Sequence, residues 1–194
     1  MRVAIVKYNA GNTVSVANAL HRLGVEPVVT DSADRLRSAD RVIFPGVGEA
    51  STAMTYLRER RLDEVIKSLT QPVLGVCLGM QLMCSYSEEN ETDCLRILPY
   101  RVRRFESDTL KVPHTGWNRI RDLRSPLFEG VAEGAHVYFV HGYYVENGAD
   151  TTAVTEYGHE FSSGVDRDNF HAIQFHTEKS GKVGARILEN FLKI

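Results

Sequence analysis

The chain has 194 residues, enough for one domain (1–194) with a sizeable core, and its 43% hydrophobic and 25% charged content is that of a globular protein. A formal net charge of −2 gives no case for a nucleic-acid or anionic-membrane partner, and no apolar run is long enough to cross a bilayer. The first residues enter a strand pattern directly, so a cytoplasmic location is the default expectation.

Residues 2–8 read as a strand, 13–23 as a helix stopped by Gly24, 26–30 as a second strand and 41–44 as a third. Residues 49–69 carry a helical pattern, and 72–76 form the strand that feeds Cys77. Strands alternating with helices predict a mostly parallel sheet covered on both faces, an α/β architecture. Functional loops of such sheets lie beyond the strand carboxyl ends, here residues 9–12, 45–48 and the Cys77 turn. From Ser85 the texture changes. Residues 87–93 are polar and acidic and read as a solvated loop. The β-rich stretches 97–105, 136–145, 152–157 and 170–175 follow and predict antiparallel additions in the C-terminal half. Residues 181–192 close the chain as an amphipathic helix.

Cys77 lies where an apolar strand meets an apolar helix, in Val73-Leu74-Gly75-Val76-Cys77-Leu78-Gly79-Met80-Gln81. Gly75 and Gly79 leave room for a turn tight enough to expose the sulfur, the geometry of a nucleophile elbow. The helix start favours thiolate, and the Leu78 N–H is placed to stabilise an oxyanion. A core cysteine is the bland alternative, but Gly79 inside a helix costs about 1 kcal/mol relative to alanine, which points to a close backbone approach. Cys84 and Cys94 complete an odd set without C-x-x-C spacing, so neither disulfides nor a cysteine metal site is expected.

A thiolate nucleophile needs a base, and the base an orienting group. Among seven histidines, His176 ends an apolar strand and is followed two positions later by Glu178. In extended chain those two side chains point to one side, so the carboxylate can fix the imidazole tautomer. His171 and His21 lack such a neighbour in sequence, His136 has no adjacent acid, and His114 and His141 stand in reserve as loop residues. Phe44-Pro45-Gly46-Val47-Gly48-Glu49-Ala50-Ser51 contains G-x-G after a strand, but Ser51 stands in the third-glycine position, so the loop reads as a second N–H donor rather than a nucleotide site. Val47 and Leu78 would then form a two-donor oxyanion hole.

Gly75-Val76-Cys77-Leu78-Gly79-Met80-Gln81 and Gln174-Phe175-His176-Thr177-Glu178 resemble the nucleophile and histidine–glutamate motifs of the class I, triad-type glutamine amidotransferases. Tyr8-Asn9-Ala10-Gly11-Asn12, Pro113-His114-Thr115-Gly116-Trp117-Asn118 and Tyr138-Phe139-Val140-His141-Gly142-Tyr143 narrow the resemblance to the glutaminase subunits of imidazole glycerol phosphate synthase. The resemblance covers the full chain and implies a flavodoxin-like three-layer αβα sandwich with a mostly parallel central sheet. It implies that Cys77 attacks the amide carbon of glutamine to form a glutamyl thioester and release ammonia. His176 would serve as acid and base and Glu178 would orient it. Gly48, Gln81, Gly142 and Tyr143 would hold the amino-acid head. No cofactor and no metal are implied. The implied partner is a (β/α)8-barrel cyclase that makes imidazole glycerol phosphate and aminoimidazole carboxamide ribotide in histidine biosynthesis, with Asn12, Trp117 and Lys179 at the heterodimer interface.

Four positions depart from the family pattern. Thr177 stands where proline is usual between the histidine and glutamate, which removes a φ restraint, and Gly142 stands where serine is common. Lys7 replaces an acid and Thr13 a leucine in the first loop region. The competing readings are a glutaminase serving another synthase, a cysteine hydrolase or protease on a similar fold, and an inactive scaffold.

Overall fold

The computed structural model describes residues 1–194. Its first half runs β1 (Val3–Val6), α1 (Thr13–Arg22), β2 (Val28–Thr30), α2 (Ala33–Ser38), β3 (Arg41–Gly46), α3 (Ala50–Glu59), α4 (Leu62–Lys67), β4 (Val73–Cys77) and α5 (Leu78–Met83). Helix α2 escapes a periodicity reading because it has only six residues, yet Ser32 starts it by accepting from Arg35 N. The helical run expected over 49–69 is two helices, because Arg61 adopts a left-handed φ of 55° that ends the first and caps the second.

The second half adds β5 (Tyr86–Ser87), β6 (Thr92–Asp93), β7 (Arg101–Arg104), β8 (His114–Arg119), β9 (His136–His141), β10 (Tyr143–Val145), β11 (Thr151–Tyr157), β12 (His159–Arg167), β13 (Phe170–Ile173) and α6 (Gly181–Lys193). One large sheet has the order β2-β1-β3-β4-β13-β12-β10-β7-β5-β6, with β11 beside β12, while β8 and β9 form a separate ribbon. The strands from β2 to β13 in that order are mutually parallel. Beyond β13, the pairs with β12, β11, β10 and β7 are antiparallel, as expected of the C-terminal half.

Side chains alternate across the sheet and fill two cores. Ala4, Val6, Val42 and Phe44 meet Leu36, Leu57 and Met80 on one face. Val3, Ile5 and Ile43 meet Leu20 of α1 and Ile187 and Phe191 of α6 on the other. The result is the three-layer αβα sandwich.

Three local expectations are corrected. The stretch 170–175 is not one of the antiparallel additions on its β4 side: β13 runs parallel to β4, pairing Ile173 with Val76. All four β13 residues are buried, which suits a strand covered on both faces. The run 136–145 breaks at Gly142, so β9 pairs with β8 in the ribbon and β10 with β7 and β12 in the main sheet. His114 and His141 therefore lie in strands, paired directly opposite each other, not in loops.

Candidate active site

The carboxyl ends of the adjacent parallel strands β4 and β13 bring Cys77 and His176 together. Cys77 has φ 54° and ψ −111°, a strained turn between strand and helix that a buried residue holds only when its surroundings enforce it. The enforcement is visible in the glycines. A Cβ on Gly79 would lie 1.9 Å from Phe44 O, and one on Gly46 would lie 2.6 Å from Leu78 Cβ. Glycine at both positions lets α5 start directly against β3, and that contact pins the elbow. Helix α5 is only six residues long, so its free N–H groups, chiefly that of Leu78, matter more than its dipole.

Tyr8 supports the facing loop. It is buried, and its hydroxyl donates to Pro45 O at 2.6 Å, tying down the segment that carries Val47 and Gly48. Burial, with the Cys77 charge, pushes the Tyr8 phenol well above its ordinary range, so it stays a donor. Gly48 adopts φ 114°, a conformation open to glycine.

His176 Nδ1 lies 2.8 Å from Glu178 Oε1, and both side chains are almost fully buried. The ring is also close enough to Cys77 for the sulfur to act on its charge, and both side chains line the same cavity. Burial opposes a charge on the ring, but hydrogen bonds and charge from Cys77 and Glu178 outweigh it and raise the His176 pKa to about 10. The raised pKa means that the site favours a protonated His176 ring. Around the sulfur, Val140 O and Gln174 Nε2 each lie 3.7 Å away.

The segment from His176 to Glu178 is held without proline. His176 N donates to Tyr138 O at 2.9 Å, Ser180 Oγ donates to His176 O at 2.6 Å, and Tyr138 N donates to Ser180 Oγ at 2.9 Å. Thr177 is buried, and its carbonyl lies where a Cβ on Gly184 of α6 would approach to 1.9 Å. Close packing of the 3-10 turn Thr177–Lys179 on α6 replaces the restraint that a proline ring would give.

A cavity of about 280 Å³ opens over Cys77 and His176, lined among others by Val47, Gly48, Leu78, Gln81, Gly142 and Tyr143. Every residue expected at the oxyanion hole or the substrate head therefore reaches one cavity. Gln81 Nε2 is engaged with Tyr143 O and Gln174 Oε1, each at 3.0 Å, which leaves Oε1 for a ligand. A Cβ on Gly142 would find only ordinary contacts at 3.9 and 4.0 Å, so the missing serine reflects no lack of room.

Glu89 is the lining residue that sequence reasoning missed. It lies in the acidic stretch read as solvated, but its Oε2 accepts from Ala50 N at 2.8 Å at the start of α3. Half-burial, with repulsion from Glu49, raises its pKa despite that bond. The signal available in sequence was faint: one carboxylate among several, and only the fold selects it.

Of the residues expected at an interface, Trp117 is 56% exposed and packs edge-on to Tyr138 at 5.8 Å, while Lys179 Nζ lies 5.9 Å from the same ring. Asn12 accepts from Ser15 N at 3.3 Å as the cap of α1. Cys84 and Cys94 are buried, and burial raises both thiols, that of Cys94 to about 12. His171 and His21, which lack an acid nearby in sequence, gain one in the fold: Asp166 at 3.1 Å and Glu26 at 3.1 Å. Neither lines the cavity.

An elbow cysteine, a carboxylate-bound histidine and a sheet-edge cavity define a nucleophilic acyl-transfer enzyme on an α/β sandwich, and residues 4–194 match the family described as glutamine amidotransferase class-I. The chain belongs to that family of enzymes. It is 57% identical over 196 residues to the imidazole glycerol phosphate synthase subunit HisH of Bacteroides thetaiotaomicron, covering 100% of both chains. It is 42% identical over 194 residues to the subunit of the same name from Haemophilus influenzae, covering 100% of this chain and 98% of the relative. A solved glutamine amidotransferase structure superposes with a TM-score of 0.76 at 20% identity, over 98% of this chain and 97% of the other, and shows the shared fold.

Proposed function

We propose that the protein hydrolyses glutamine to glutamate and ammonia and supplies the ammonia to a cyclase partner in cytoplasmic histidine biosynthesis. Cys77 Sγ attacks the side-chain amide carbon, and the carbonyl oxygen becomes an oxyanion held by the Leu78 and Val47 N–H groups. His176 protonates the leaving nitrogen, ammonia departs, and a glutamyl thioester remains. The ring then takes a proton from water, whose oxygen attacks the thioester and returns the thiolate. Glu178 keeps Nδ1 protonated and stabilises the imidazolium through both steps. The observation that carries this reading is the buried Cys77–His176–Glu178 chain opening on a single cavity.

The amino-acid head pairs with the remaining lining groups. The Glu89 carboxylate and Gln81 Oε1 suit its ammonium, and the backbone at Gly48 and Gly142-Tyr143 suits its carboxylate.

The name of the 57% identical relative, a synthase subunit, supports a partner. Ammonia released into water is mostly protonated and no nucleophile, so a protected transfer to a second active site gives the hydrolysis its use. The partner proposed is a (β/α)8-barrel cyclase that makes imidazole glycerol phosphate and aminoimidazole carboxamide ribotide, bound as a heterodimer. Val47 and Lys179 line the cavity, Val47 and Trp117 expose apolar surface, and Trp117 with Lys179 and Asn12 is proposed to meet the partner. The test is Cys77→Ser in the assembled complex. Glutamine-dependent synthesis should vanish while synthesis from added ammonium salts persists; equal loss of both would refute the division of labour.

A further inference from the structure

From His141, which lines the cavity, a line of hydrogen bonds runs inward that the hydrolysis chemistry does not use. His141 Nδ1 lies 2.7 Å from Tyr143 O. His141 Nε2 lies 3.0 Å from His114 Nδ1, and His114 Nε2 lies 3.4 Å from Asn118 Nδ2. Asn118 is oriented by other partners: its Oδ1 accepts from Arg119 N at 2.7 Å, and its Nδ2 donates to Glu156 O at 2.9 Å.

The proton positions follow from the two ends. A carbonyl oxygen only accepts, so Tyr143 O requires a proton on His141 Nδ1. An amide nitrogen only donates, so Asn118 requires a lone pair on His114 Nε2. A neutral His114 then carries its proton on Nδ1 and directs it at the bare Nε2 of a neutral His141. One arrangement satisfies every link. A second proton on His141 would set two donors face to face, and one on His114 would set its Nε2–H against the Asn118 amide. The surroundings agree. Both rings are buried, and His114 stacks between Phe139 at 4.9 Å and Tyr157 at 4.0 Å. Burial lowers the His114 pKa to about 4, and burial with the nearby His114 and His176 charges lowers that of His141 to about 3.

The relay ends on an atom of the cavity wall. Tyr143 O also accepts from Gln81 Nε2 at 3.0 Å, and the preceding Gly142 O accepts from Phe105 N at 3.0 Å. We propose that Asn118, His114 and His141 form a one-directional relay that positions the Tyr143 carbonyl, and with it the Gly142-Tyr143 backbone against which glutamine binds. They are positioning residues for substrate, separate from the triad. The consequence for catalysis rests on the cavity being the glutamine site; the tautomers do not.

Two measurements test the proposal. Two-bond proton–nitrogen correlation spectra of the ¹⁵N-labelled full chain at neutral pH should show both His114 and His141 protonated at Nδ1 and bare at Nε2, the tautomer that free histidine disfavours in water. A proton on Nε2 of either ring overturns the relay. The second measurement is Asn118→Leu, assayed with the cyclase partner and its substrate present. Leucine has no donor, so the lone pair on His114 Nε2 loses its partner and the direction of the chain is no longer fixed. KM for glutamine should rise about tenfold, the effect of one lost hydrogen bond, with a much smaller change in kcat. An unchanged KM overturns the positioning role. A wild-type complex that releases no ammonia from glutamine would sink the functional reading instead, and the wild-type spectrum would still decide the relay.

Discussion

Gly184→Ala sets two effects of opposite sign against each other eight residues past His176. In an unconstrained helix interior the change stabilises by about 1 kcal/mol through propensity alone. Here the new Cβ would lie 1.9 Å from Thr177 O, 2.8 Å from Thr177 C and 3.0 Å from Ser180 Cβ. The first two atoms are backbone, so relief requires the 3-10 turn Thr177–Lys179 to move off α6, by more than an ångström at the carbonyl. Overpacking of this kind costs about 1–3 kcal/mol, which exceeds the propensity gain. The displaced turn carries Glu178, whose bond to His176 is 2.8 Å long. A misplacement of about 1 Å in such a group costs on the order of a hundredfold in rate. The variant should therefore show a lower urea midpoint and a kcat/KM for glutamine reduced by one to two orders of magnitude, with ammonium-dependent synthesis by the partner unaffected. A variant more stable than the parent with full glutaminase activity would refute the claim that this packing replaces the proline restraint.

Glu178→Gln should lower glutaminase turnover, and less than His176→Ala does, because the proton carrier remains. It should also flatten the pH dependence of stability. His176 has a folded pKa raised to about 10, so its contribution is full below the ordinary value of about 6.5 and is lost as pH rises toward 10. The urea midpoint of the parent should fall over that window, and the fall should be smaller without the carboxylate charge; identical profiles would count against the ion pair. Glu89→Gln removes the charge proposed to meet the substrate ammonium and should raise KM for glutamine about tenfold, measured by ammonia release. Gly142→Ser adds atoms where a Cβ has only contacts at 3.9 Å and beyond, so the melting temperature should hold within a few degrees and glutaminase activity within a few-fold.

The groups of the candidate site were legible because their signals are local. A glycine-flanked cysteine between a strand and a helix announces an elbow, and a carboxylate two positions past a strand-end histidine announces its orienting partner. The structure supports the reading of Gly79 as a close backbone approach, through the Phe44 carbonyl. Where a helix was under two turns, as in α2, or a long helical pattern was cut by one left-handed residue, as at Arg61, local pattern was insufficient.

What tertiary structure alone decided is which strands are neighbours. Residues 170–175 carry the same apolar pattern whether they pair with β12 alone or also insert beside β4, since pairing partners are set by burial on both faces and by crossovers that no window of sequence contains. That insertion puts His176 at Cys77. In the same way the break at Gly142 sends β9 to the ribbon and β10 to the main sheet, which seats His141 opposite His114, while the packing of residues 87–93 on α3 turns one of several surface carboxylates, Glu89, into the cavity.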